Sequence, residues 1–179
     1  NVLAGSLLFA DDLIMHAGQV YPTTMSRFSV IGRPGTSSLT FSSPVIDAGD
    51  SAPNTPLSAF ASLTVEADRI GFTGRDDSSK GGVLRVPFGS LAVKAAQSIT
   101  LSSGAELSAS GDGVTVPVGT TVNGRDWLYS SGGIDSTKEA VKLNTSPVAK
   151  ELRLEAPRLE ISPDAKVSVA GGGDLQAWE

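Results

Sequence analysis

Residues 91–111, LAVKAAQSITLSSGAELSASG, and residues 152–171, LRLEAPRLEISPDAKVSVAG, read as two copies of one pattern. Leu91, Val93 and Ala95 fall on Leu152, Leu154 and Ala156 at an offset of 61 residues; past a one-residue gap, Ile99, Leu101, Leu107 and Gly111 fall on Leu159, Ile161, Val167 and Gly171 at 60. Within each copy apolar and polar residues alternate at period two, which sends one face of an extended chain inward. The breaks between strands are short, as at Ser102-Ser103-Gly104 and Ser162-Pro163-Asp164. A hairpin would want a two-residue Asn-Gly or Asp-Gly turn between matched strands. Here the chain bends every few residues and returns its apolar side chains to one inner face, which is what a solenoid does. The expected fold is all-β, a parallel β-helix whose coils of roughly 20 to 25 residues stack about 4.8 Å apart.

The same habit extends toward the N-terminus. Leu63, Val65 and Ala67, then Ile70 and Phe72, alternate in the same way. Leu7, Phe9, Leu13, Met15 and Val20 suggest one earlier coil, and Phe28, Val30, Leu39, Phe41 and Val45 another. Pro22, Pro34, Pro44, Pro87, Pro157 and Pro163 are expected at corners, because a mid-strand proline removes a ladder hydrogen bond. Ser136 with Glu139 has the form of a capping box, so one short helical turn is expected over residues 137–143. The whole chain, 1–179, is expected to be a single segment with two departures: a polar loop at 73–82 and a long excursion at 113–149 that holds small elements of its own.

Composition points the same way and narrows the partners. Twenty Gly and ten Pro in 179 residues leave little room for long helices, and 40% hydrophobic against 18% charged residues argues for a packed chain. The net charge of −5, with basic residues scattered singly, sets nucleic acid aside as a partner. No apolar run approaches the roughly 18 residues of a transmembrane segment. Absence of cysteine removes disulfides, thiol catalysis and Cys-ligated metal together. With no initiator Met, no signal-peptide pattern at Asn1 and an abrupt stop at Trp178-Glu179, the chain reads as an excerpt from something longer.

Four stretches carry a resemblance. They are Gly18-Gln19-Val20-Tyr21-Pro22-Thr23-Thr24 followed by Phe28 and Val30; Val86-Pro87-Phe88-Gly89; Ser110-Gly111-Asp112-Gly113 leading through Val116-Pro117 to Gly119-Thr120-Thr121-Val122-Asn123-Gly124; and Ala170-Gly171-Gly172-Gly173-Asp174-Leu175. In order and spacing they resemble the filamentous haemagglutinin-like family of large exoproteins of Gram-negative bacteria. The resemblance implies a right-handed parallel β-helix within a secreted, surface-exposed adhesin. It also implies export by two-partner secretion through an outer-membrane translocator, and attachment to a host-cell, neighbouring-cell or glycan surface.

The residues themselves point away from catalysis. His16 is the only histidine, so no multi-His metal site or His-based triad can be assembled from sequence neighbours. Asp76-Asp77, Asp47 with Asp50, and Gly171-Gly172-Gly173-Asp174 lack the oxygen spacing that calcium loops need. No cofactor or metal is expected. Parallel β-helices include carbohydrate-active enzymes, polysaccharide lyases and hydrolases, and that is the alternative reading. Such sites gather carboxylates on one exposed face, whereas the outward positions here, Thr64, Glu66, Ala92, Lys94, Thr100, Ser108, Arg153, Glu155, Glu160 and Ser168, are mixed in sign. The candidate recognition loop is Arg125, Asp126, Trp127 and Tyr129, which holds one of the two Trp and one of the two Tyr residues; Trp127 packing onto the coil is the competing role. Leu101, Leu107, Ile161 and Val167 are expected to line one inner stack, and the solenoid ends to self-associate weakly.

Overall fold

A computed structural model describes residues 3–45, 54–76, 79–118, 120–122, 126–129, 141–142 and 150–177. Among them there is no helix, and every regular element is a strand. The strands are β1 Leu3–Phe9, β2 Asp12–His16, β3 Ser26–Gly32, β4 Ser38–Pro44, β5 Ser62–Phe72, β6 Ser79–Gly81, β7 Val83–Arg85, β8 Ser90–Leu101 and β9 Glu106–Ser108. They continue as β10 Thr115–Val118, β11 Thr120–Val122, β12 Asp126–Tyr129, β13 Val141–Lys142, β14 Glu151–Glu155, β15 Arg158–Ile161, β16 Lys166–Ser168 and β17 Asp174–Ala177.

The principal sheet has nine strands, and all but the β4–β6 pair run parallel. In it β1 pairs β3, β3 pairs β5, β5 pairs β8 and β8 pairs β14. A second ladder follows β2, β4, the later half of β5, the later half of β8, and β15. Strands β5 and β8 belong to both ladders. Parallel partners separated by 20 or more residues require the chain to travel away and return in the same direction for each new tier, and five tiers are laid down this way. Strands β7, β9 and β16 form a third parallel ladder, to which Val20 adds a bridge at Leu84.

Period two in the sequence becomes columns in space. Val30, Val65, Val93 and Leu154 share one column, and Leu39, Ile70, Ile99 and Leu159 another. Phe41, Phe72, Leu101 and Ile161 share a third, in which the Phe41 and Phe72 rings stack with centroids 5.0 Å apart. Central members are fully buried; Leu39, Val65, Ile70, Phe72, Val93, Ile99 and Leu107 all have 0–1% exposure. At roughly 25 cal/mol per Å² of apolar surface, this shared core is the main source of stability.

The expected single inner stack is two columns, Leu101 with Ile161 in the principal sheet and Leu107 with Val167 in the ladder of β9 and β16, and only Leu101 and Leu107 are buried. Ile161 and Val167 keep the predicted register but are 49% and 44% exposed, because no described strand pairs with the far side of β15 or β16. Ser108, expected to face out, is buried, its hydroxyl accepting from the Ser110 amide. Part of the polar loop 73–82 folds back as β6, antiparallel to β4; Asp77 lies outside the described residues. Of the excursion 113–149, β10 pairs β17 in parallel, while β11, β12 and β13 form a separate antiparallel sheet. The expected helical turn over 137–143 is corrected in part: Val141 and Lys142 are strand, where a partner in β12 satisfies their backbone, and the remainder lies outside the described residues. Pro44 is the last residue of β4 rather than a corner beyond it.

Both ladders share one bend. The register of β5 against β8 shifts between Ala67 and Arg69: Ala96 and Gln97 of β8 stand opposite the single residue Asp68 of β5, which is only 5% exposed, so the extra residue belongs to β8. Ser37 donates from its backbone N–H and its Oγ to Asp68 Oδ2, at 2.8 and 3.1 Å, and its Oγ accepts the Asp68 amide at 3.1 Å. A bulge lets the strand bend without leaving the sheet. The Asp68 carboxylate in turn holds the neighbouring tier's turn at 33–37 in place.

Candidate functional site: a charged groove and an aromatic corner

The bulge creates a groove that runs across the tiers. Ala67, Ala95 and Ala156 occur at matching points of β5, β8 and the β14–β15 break and line a depression of about 560 Å³. Glu66, Lys94 and Glu155 stand along it in one column, alternating in sign, with Lys94 Nζ 3.6 Å from Glu66 Oε1. Arg153 pairs with Glu155 on the same strand. Cross-strand pairs of opposite charge each stabilise by roughly 0.2–1 kcal/mol, less where solvent screens them. The Asp68 carboxyl on the groove wall is held below the ordinary carboxylate range, first by the Gly35 backbone N–H, against burial, and then by Ser37 and the Arg69 charge.

A second feature lies at the corner that precedes β3, β5 and β8. Met25, Phe60 and Phe88 have φ of 56°, 59° and 56°, the left-handed region that bulky side chains rarely occupy. They occupy equivalent points of successive tiers: the Met25 N–H donates to the Ala59 carbonyl and the Phe60 N–H to the Phe88 carbonyl, both at 2.9 Å. Left-handed backbone turns these side chains out of the inner column into a satellite cluster with Leu57 and Val114. Lys150 Nζ sits 4.9 Å from the Phe88 ring centroid, a cation–π contact.

Three of the four sequence stretches meet at Phe88. A Cβ on Gly111 would run into the Phe88 ring and come 2.7 Å from the Gly172 carbonyl, and one on Gly173 would come 2.6 Å from Phe88 Cζ. The fourth stretch joins through Gln19, whose Oε1 accepts from Arg85 Nη1 at 3.0 Å, and through Val20, whose N–H donates to the Val83 carbonyl. Arg85 is bidentate on Glu106, at 3.1 and 2.9 Å. Burial disfavours the charge on Glu106, but the hydrogen bonds and charge of Arg85, with Lys166 and Lys80, outweigh it and hold the carboxyl below its usual range. Motifs distant in sequence thus converge because the tiers superpose them.

The residues singled out in the sequence are placed differently. Asp126, Trp127 and Tyr129 lie on β12, with Trp127 opposite Thr121 of β11, in the sheet of β11–β13; Arg125, Asp47 and Asp50 lie outside the described residues. His16 Nδ1 is 2.8 Å from the Ser42 hydroxyl, with no carboxylate in that pair. Asp76 lies in a turn whose amides donate to Ser79 Oγ. Among the described residues no group of three His, Asp or Glu side chains is placed to hold a metal ion, and no helix is long and apolar enough to cross a membrane. Period-two reading passes over the corner column, because it treats Phe60 and Phe88 as strand-flanking residues. The signal that marks it is the recurrence of Phe60-Ala61-Ser62 and Phe88-Gly89-Ser90 just ahead of β5 and β8. Comparison with protein-family models, curated proteins and solved structures gives no match.

Proposed function

We propose that the chain is a right-handed parallel β-helical segment of a secreted, surface-exposed adhesin of the filamentous haemagglutinin-like type. In this reading it acts as a stalk and as a display surface for attachment to a cell or glycan, and it has no catalytic role. One observation carries the reading: the same columns persist in register through five tiers, so that residues 61 apart in sequence are lateral neighbours. Each tier adds about 4.8 Å, repeats the same inward packing and uses its neighbour's whole backbone edge, which makes a stiff rod. The outward positions carry charges of both signs, as in the pairs Lys94–Glu66 and Arg153–Glu155, which suits exposure to solvent. The sheet of β11–β13 stands apart from the ladders in its pairing, and the proposal gives it the recognition role, through Arg125, Asp126, Trp127 and Tyr129. The export partner would be the outer-membrane translocator of a two-partner secretion system.

The test is adhesion of the purified 179-residue chain to bacterial and epithelial cells and to a glycan array. The variant Arg125→Ala/Trp127→Ala/Tyr129→Ala is expected to lose at least tenfold in bound material while keeping its circular dichroism. Undiminished binding removes the recognition role of this segment, and absence of binding to any surface removes the display role.

The groove favours a second reading, that of a carbohydrate-active enzyme, since Glu66 and Asp68 of β5 and Glu155 of β14, two tiers further on, line it. Against it, Asp68 is shifted in the direction opposite to that of a general acid. Glu66 and Glu155 are paired with Lys94 and Arg153. Release of reducing sugar from acidic or neutral polysaccharides, abolished by Glu66→Gln, would establish the enzyme instead.

A further inference from the structure

The sheet of β11–β13 sorts its residues by chemistry. Residues two apart in a strand share a face, and residues paired directly across antiparallel strands share it too. Trp127 and Tyr129 of β12 therefore lie on one face with Thr121, the pair of Trp127, and Val141, the pair of Tyr129. Asp126 and Leu128 lie on the other face with their partners Val122, Thr120 and Lys142. Both charged residues of the three strands are on one face, and both aromatic residues are on the opposite one. Strand β12 is also the central strand, with β11 along one backbone edge and β13 along the other. Strand addition at β12 is closed off, which leaves recognition to the faces of the sheet.

We propose that the face holding Trp127 and Tyr129 binds an uncharged saccharide, each aromatic ring stacking on the C–H face of a sugar ring. Resting on the recognition role given to this sheet above, the assignment narrows that role to Trp127 and Tyr129 and takes Asp126 out of the contact. Alternate positions of one strand lie about 7 Å apart, so the two rings form adjoining platforms on one surface. Trp and Tyr supply a large apolar area at low conformational cost and keep a polar tip for hydroxyl groups. Thr121 adds a hydroxyl-bearing residue at the paired position of the same face. Charge then selects among glycans. None of the four residues on this face is a Lys or Arg that could pair with a sulfate or a sialic acid carboxylate, and the net charge of −5 on the whole chain disfavours polyanions.

A glycan array probed with the 179-residue chain, followed by fluorescence titration, tests this. Binding is expected on neutral oligosaccharides and not on sialylated or sulfated ones, heparin included. The chain has two Trp residues, so in Trp178→Phe the emission reports Trp127 alone and is expected to shift as the neutral glycan selected on the array is added. Trp127→Ala is expected to lose at least tenfold in affinity and Trp127→Phe, which keeps a ring, clearly less. Asp126→Ala/Lys142→Ala, on the other face, is expected to bind as the parent does. Binding confined to acidic glycans, or an equal loss in Trp127→Ala and Asp126→Ala/Lys142→Ala, would overturn the assignment. Adhesion to epithelial cells without binding to any neutral glycan would overturn it too and leave the display role standing, whereas absence of adhesion to every surface removes both.

Discussion

Leu107 and Val167 face each other across the parallel strands β9 and β16, one with 0% and the other with 44% of its surface exposed. They are the same position of the repeat at different depths in the stack. Burial, not position, sets their energetic weight. Leu107→Ala is therefore expected to cost about 2–5 kcal/mol, and Val167→Ala under about 1 kcal/mol. Urea unfolding of the two variants checks the difference; equal losses would mean that β16 is covered after all.

Gly111 and Gly171 are likewise equivalent in the repeat and unlike in the structure. A methyl group at Gly111 collides with Phe88 and the Gly172 carbonyl, whereas one at Gly171 meets nothing within 4 Å. Gly111→Ala is expected to cost about 1–3 kcal/mol through overpacking, and Gly171→Ala to stay within about 0.5 kcal/mol. Hydrogen exchange gives a local check: the Asp174 amide, bonded to the Val114 carbonyl, should exchange faster in Gly111→Ala alone.

Acid should weaken the bend at Asp68. Its folded pKa is depressed, so its contribution is present above the unfolded value near 3.9 and fades as pH falls through the folded value. Glu106 acts in the same direction. Asp68→Asn is expected to be less stable than the parent at pH 7 and to lose less on going from pH 5 to pH 2.5. A parallel decline of both proteins in urea titrations would deny the carboxylate this role.

The antiparallel sheet of β11–β13 pairs only within itself. Replacing residues 124–146 by a short Gly-Ser linker should then preserve the β-rich circular dichroism spectrum at a modest loop-closure cost. Loss of the cooperative unfolding transition would show that the ladders depend on this segment.

The ladder registers were legible in the sequence because inward positions alternate strictly: Ile99 against Leu159 and Leu107 against Val167 are the pairs that the repeat predicts. Strand identity in the earlier tiers was also readable, through Phe28, Val30, Leu39 and Phe41. Depth was not. Whether Ile161 is buried depends on what pairs with the far edge of β15, and no local pattern encodes that. The bulge in β8 was legible as the one-residue gap of the repeat between Ala95 and Ile99, whereas the hold of Asp68 on Ser37, 31 residues away, was not. The corner column escaped because left-handed backbone at Met25, Phe60 and Phe88 runs against the steric preference of those residues, and only stacking from tier to tier sustains it. Ala67 and Ala95 are inward positions, as the alternation predicts, and nothing in the local pattern shows that they also line the groove.

The central claim is that residues 61 apart are neighbours in parallel register, and disulfide trapping tests it most directly because the chain contains no cysteine. Ala92 and Arg153 are paired positions of β8 and β14 with outward-facing side chains, while Ala92 and Glu155 are two residues out of register. Neighbouring strands lie about 4.8 Å apart, within disulfide reach, and a two-residue slip exceeds the roughly 7 Å limit. Ala92→Cys/Arg153→Cys is predicted to oxidise rapidly to an intramolecular bridge and Ala92→Cys/Glu155→Cys slowly or not at all. Preferential bridging of the second pair, or of neither, would contradict the parallel register.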